Sequence, residues 1–331
     1  MIRSKESRRR AVAVLQTVGV AAVYYASAQL GLLQEMVVEG SVVTPLWPPT
    51  GIALGALLWL GIRIWPGIAL GALLTIIDIS GSLTLYGVGI AAGNTLAPLC
   101  AFLILRRIGF RIGMDRLRDG VALVFLGALV GMLISATVGS AMLLLSDKLP
   151  PGRFWPVWSA WWVGDAMGVL VVAPFLLVLG RMRMPRSTDR WGEAALLLIT
   201  AVAATGVATR SSLSMIYLVF PVIIWAALRF RLPGSAPCAL LVSVLAVMAG
   251  RDHVGPFEDH TVLEVMVNLA FLNGCVALTA LLLAAIVTEH QTIRRETELA
   301  CEELAALVEQ LAPLPTIPRP DTGTSPPDGR P

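Results

Sequence analysis

The sequence predicts an all-α fold, a polytopic transmembrane helix bundle of about eight to ten helices with both termini in the cytoplasm. Three observations predict it. Of 331 residues, 56% are hydrophobic and only 14% charged, which is too little polar surface for a soluble domain of this size, so lipid must be the main solvent. Apolar runs long enough to cross a bilayer recur along the chain. All but six of the 25 Lys and Arg residues fall on one side of a ten-span layout, and cationic loops are retained on the cytoplasmic face during insertion. The six are Lys148, Arg153, Arg210 and Arg251 on the other side, with Arg319 and Arg330 near the C-terminus.

In chain order, residues 1–10 are a basic cytoplasmic N-terminus. The run from Ala11 to Leu33 is span-length and lacks a small-residue cleavage site, so it is expected to stay as the first helix of the membrane portion, residues 11–288. Further spans are predicted near 46–62, 64–80, 87–105, 120–145, 158–179, 193–209, 213–228, 235–250 and 262–287. The basic loops RRIGFRIGMDRLRD, RMRMPRSTDR and RFRLPG then fall inside, and EMVVEGS, RSSLS and GRDHVGPFEDH outside. The string GIALGALL occurs twice, at Gly51–Leu58 and Gly67–Leu74. Its glycines, like Gly127 with Gly131 and Gly164 with Gly168, have the spacing that lets helix backbones approach closely in lipid.

After Val287 the composition changes. Residues 289–311 form an amphipathic extension in which Ile293, Thr297, Ala300, Leu304, Leu307 and Leu311 alternate at spacings of four and three, a coiled-coil seam for a second copy or a partner helix. Residues 312–331 are rich in proline and polar residues and are expected to be disordered.

The net charge of +3 resides in short loops beside apolar spans, where it orients the chain and meets lipid head groups; no nucleic-acid partner is expected. Cys100, Cys238, Cys275 and Cys301 suggest free thiols, not a disulfide framework or zinc cluster. There is no phosphate-cradling loop, kinase signature, metal-spaced cluster or serine elbow, so neither enzymatic activity nor a cofactor nor a metal is expected.

An ionisable residue within the bilayer is costly unless it meets water or a partner. Asp165, in WSAWWVGDAMG, is the clearest. Helical rise places Asp165 and Asn94 about 10 Å below the outer boundary and Asn268 about 9 Å, with Thr137 and Ser135 at about 12 and 15 Å. These depths suggest one polar layer: a pocket with Asp165 as its charge and the amides and hydroxyls as hydrogen-bond partners. The alternative for the uncharged members is interhelical stitching. Trp47-Pro48-Pro49-Thr50-Gly51 is expected to start the second helix and leave unpaired N–H groups for an anionic or carbonyl-bearing ligand. Trp161 joins the candidate pocket, although Trp155, Trp158, Trp161 and Trp162 also suit an interfacial aromatic belt.

Together these stretches resemble the membrane-associated sensor domain of the first type, the MASE family of bacterial signalling proteins. The resemblance rests on LWPPTGIALGALLWLGIRIWPGIALGALL, GNTLAPLCAFLILRR, SATVGSAMLLL, WSAWWVGDAMGVLVVAPFLLVL, PVIIWAALRF and FLNGCVALTALLLAAIVTE, in order from Leu46 to Glu289. It implies a bacterial inner-membrane sensory module. Family members usually join their last span to a histidine kinase or diguanylate cyclase, whereas here the extension leads into the proline-rich segment. The expected function is therefore binding of a small ligand in the outer half of the bundle and relay through the last span to a separate cytoplasmic kinase or cyclase. The rival is a small secondary transporter, to which an intramembrane carboxylate and helix breaks at prolines would also belong. A purely structural partner that recruits such an enzyme is a third reading.

Overall fold

The computed structural model describes residues 2–38, 41–180, 189–211 and 215–311. The predicted disordered tail, most of the RMRMPRSTDR loop and part of RSSLS lie outside the described residues. Residues Met1–Glu289 form one compact unit and His290–Pro331 a second.

In the first unit, α1 (Ile2–Leu32) takes in the basic N-terminal residues as helix. It is followed by strands β1 (Met36–Val38) and β2 (Ser41–Val43), which pair antiparallel with Met36 opposite Val43. This hairpin stands where the sequence predicts only an outer loop, and it forms because β-branched residues cluster in both strands. Then come α2 (Pro48–Leu60), α3 (Trp65–Ser80) and α4 (Leu85–Arg107). The fifth span is composite: α5 (Leu117–Ala122), a π-helical stretch over Leu123–Val130, and α6 (Leu133–Leu145). The sixth repeats the pattern with α7 (Phe154–Met167), a π-helical stretch over Gly168–Val172, and α8 (Ala173–Leu179). The remainder are α9 (Asp189–Arg210), α10 (Val219–Phe230), α11 (Leu232–Arg251) and α12 (Val262–Leu311), the last belonging to this unit as far as Glu289.

Among the described residues, eight helical segments are long and apolar enough to cross a bilayer, and the shorter apolar helices Pro48–Leu60 and Ile216–Phe230 accompany them. A helix as short as α2 is stable at membrane depth because protein surrounds it. It packs against α1, α4, α7, α8 and the Gly168–Val172 stretch, and its residues from Pro49 to Gly55 are all buried. The closest approach is at Gly51 and Gly168. A Cβ on Gly51 would strike the Gly168 carbonyl, and one on Gly168 would strike the carbonyl of Trp47. Two glycines therefore set α2 directly onto the backbone of the π-helical stretch.

At the end opposite the β-hairpin, the Leu117 amide donates to Oε2 of Glu289 at 3.0 Å. Leu117 opens α5, so the carboxylate from the last span occupies the position of a helix cap. Asp119 is buried beside it and accepts from the Arg111 amide at 3.2 Å.

The second unit, taken by itself, is the helical stretch up to Leu311. Ile293, Leu299, Leu304, Leu307 and Val308 are all exposed, and Arg294 pairs with Glu298 one turn on at 2.9 Å.

Candidate functional site

The prolines at the start of α2 explain the geometry around Asp165. Pro48 and Pro49 take the first helical positions, where a missing N–H costs nothing. Trp47 stays extended, and its amide donates to the Gly164 carbonyl at 2.9 Å. The expectation of open N–H donors for an anionic ligand is thus narrowed: the prolines have no N–H to offer and that of Trp47 is spent on α7, which leaves the Thr50 amide of the first turn. To Asp165, α2 presents the Thr50 side chain.

Asp165 is 1% exposed. The Thr50 hydroxyl donates to its Oδ1 and the Ser135 hydroxyl to its Oδ2, each at 2.5 Å. Side chains from α2, α6 and α7 thus meet on one carboxylate, immediately before the α7 helix widens into its π-helical stretch. Among the described residues no basic side chain pairs with Asp165. Each carboxylate oxygen accepts one hydroxyl and keeps acceptor capacity to spare.

Asp165 and Gly164 form part of the wall of a cavity of about 340 Å³. Asn94 of α4 and Thr44, just after β2, supply further polar groups, and Trp47, Tyr86 and Trp161 supply aromatic ones. Ile76, Ile90 and Leu143 make the wall between apolar, while Ser80 and the exposed Lys148 stand at the hairpin end. Asn94 is 8% exposed and its Oδ1 has no hydrogen-bond partner. Pro98, four residues on, lacks the N–H that would otherwise reach the Asn94 carbonyl.

Of the residues singled out from the sequence, Trp47, Asn94, Trp161 and Asp165 line this cavity, and Thr50 and Ser135 contact it through Asp165. Pro48 and Gly51 shape the chain behind it. Thr137 and Asn268 are not brought there. Thr137 is exposed and accepts from the Trp158 indole at 3.1 Å; two positions from Ser135, it lies on the far side of α6. Asn268 is exposed on α12. The amide that faces the interior from that helix is Asn273, 0% exposed and without a partner at either Oδ1 or Nδ2. Equal depth does not imply equal phase around the helix. Trp155 is exposed, and Trp158 stacks at 5.9 Å on Trp162, whose indole donates to the Leu129 carbonyl.

Lys148, Tyr86, Thr44 and Ser80 on the cavity wall escape the sequence reading, as does Tyr24 of α1 behind it. Tyr24 is 1% exposed. It packs where α1 crosses α3, and a Cβ on Gly71 would meet the Tyr24 side chain. In the sequence Tyr24 is one more aromatic residue in an apolar run, because its neighbour Gly71 lies on another helix.

A family profile described as MASE1 matches residues 16–291. Among curated proteins, the probable diguanylate cyclase DgcE of Escherichia coli (strain K12) is 26% identical over 226 residues, a stretch that makes up 64% of this chain and 19% of that protein. The chain therefore spans about a fifth of that relative's length. No solved structure matches it.

Proposed function

Because the chain belongs to the MASE1 family, a multi-pass sensor domain of the bacterial inner membrane, we propose that it binds a small ligand in the cavity beside Asp165 and passes the event along its last span. The hairpin end faces outward and both termini face the cytoplasm, since that orientation leaves the great majority of Lys and Arg residues inside. The ligand biases how α2, α6 and α7 pack around the carboxylate. The bias reaches α12, whose Glu289 caps α5, and continues into the seam from Ile293 to Leu311. A second copy of the chain, or a cytoplasmic kinase or cyclase, reads it there. Such a transfer requires the ligand to prefer one packing over another.

The observation that carries this reading is the position of Asp165, a carboxylate at membrane depth on the wall of a cavity, shared by hydroxyls from two other helices. The test is hydrogen exchange on the purified chain in nanodiscs, with Asp165→Asn and Asp165→Leu compared with the parent. Altered protection over residues 290–311 is the expected result, and protection there unchanged in both variants would sink the relay. Net solute uptake into proteoliposomes that is lost in Asp165→Asn would make the protein a transporter instead.

A further inference from the structure

The cavity has opposite character at its two ends. At the inner end stand the Asp165 carboxylate, with no basic partner among the described residues, and the Asn94 side-chain oxygen, buried without a donor. The Thr50 hydroxyl proton is taken by Asp165 and the Ser135 proton by Asp165 or the Met132 carbonyl, so the inner end is rich in acceptors. A charge there is stabilised by an opposite charge that also donates hydrogen bonds. At the hairpin end Lys148 offers a cation. Between them the wall is Ile76, Ile90, Leu143 and the rings of Tyr86 and Trp161.

The separation of the two ends follows from α6. Ser135 binds Asp165, and the Lys148 amide donates to the Leu143 carbonyl. Ser135 and Leu143 are eight residues apart along a helix, which is a rise of about 12 Å. A ligand that satisfies both ends is extended, with its donor inward.

We propose that the cavity binds an elongated zwitterion: a primary ammonium facing Asp165 and Asn94, an apolar chain along the Ile76–Ile90 wall, and an acidic group facing Lys148. This names the ligand class of the sensor reading above and rests on it for the identity of the site. A metal ion alone would leave the apolar length of the cavity unfilled.

The experiment titrates the full chain in nanodiscs with ω-aminooctanoic acid, octylamine and octanoic acid, read by the fluorescence of the tryptophans and by thermal unfolding. The amino acid is expected to bind most tightly, octylamine next, and octanoic acid more than about tenfold more weakly than octylamine. Asp165→Asn should weaken both amines by about tenfold or more, and Lys148→Met should remove only the advantage of the amino acid over octylamine. Asn94→Leu leaves the Thr50–Asp165–Ser135 contacts in place and should weaken both amines several-fold, which keeps the test decisive if the Asp165 variant does not fold. Octanoic acid binding as well as octylamine, amine binding indifferent to both Asp165→Asn and Asn94→Leu, or no amine binding at millimolar concentration would overturn the proposal. None of these outcomes touches the exchange measurement on residues 290–311, so the sensor reading stands or falls separately.

Discussion

Thr50 donates its hydroxyl to Asp165 across 115 positions of sequence, at 2.5 Å. With Ser135 on the other oxygen, this makes the carboxylate a junction of three helices. A hydroxyl left without its acceptor in a bundle interior costs more than the bond contributed. Asp165→Leu strands the Thr50 hydroxyl, while that of Ser135 keeps the Met132 carbonyl at 3.0 Å; it should destabilise the bundle by about 2 kcal/mol, whereas Asp165→Asn keeps one acceptor and should cost about 1 kcal/mol. Reversible unfolding in mixed micelles measures both. Equal losses would mean that the Thr50 hydroxyl finds another acceptor.

The same junction predicts non-additivity. Thr50→Val and Ser135→Ala should each cost about 1 kcal/mol, and each should cost less once Asp165 is Leu. A double-mutant cycle with a coupling below about 0.3 kcal/mol would count against the junction.

The contact of α2 with the π-helical stretch predicts that Gly168→Ala destabilises by about 2 kcal/mol or more, because the new methyl meets backbone and not a side chain that can swing aside. Gly192→Ala is the control, since nothing lies within 4 Å of a Cβ there. Its expected effect is zero or slightly stabilising. Thermal unfolding compares the two.

Asn273 and Asn268 should part company. Replacing a buried amide that has no partner by a residue of similar size removes a desolvation cost, so Asn273→Leu should stabilise by about 1 kcal/mol. Asn268→Leu, on an exposed position, should change stability by less than about 0.5 kcal/mol. A loss at Asn273 in equilibrium unfolding would mean that its amide has a partner in the membrane.

Glu289→Ala removes the acceptor from the Leu117 amide. The cap is worth about 1 kcal/mol, so hydrogen exchange at Leu117 should quicken by roughly five- to tenfold while Glu289→Gln retains most of the protection. Equal exchange in the parent and Glu289→Ala would remove this tie between α5 and α12.

The helices are legible in the sequence because span length and hydropathy are local properties. Depth is legible too: rise per residue puts Asp165, Asn94 and Ser135 at comparable levels, and the structure assembles them around one cavity wall. Rotation about each helix axis is not, which is why Asn268 is expected where Asn273 belongs and why Thr137 is grouped with Ser135. The phase of a helix in lipid depends on its neighbours, and one chain of letters does not reveal them. The β-hairpin escapes because two three-residue strands leave too short a pattern to separate from a loop. In the sequence Lys148 speaks only for its side of the membrane, and the turn after α6 is what brings it to the cavity mouth.

The dependence of α2 on α7 has a consequence for biogenesis. With two prolines and 13 residues, α2 is synthesised well before the segment that accepts its Trp47 amide. At usual rates of translation the wait is on the order of ten seconds. During that interval its threonine has no carboxylate to meet, so the nascent chain must hold a provisional span in the membrane until later segments lock it in place.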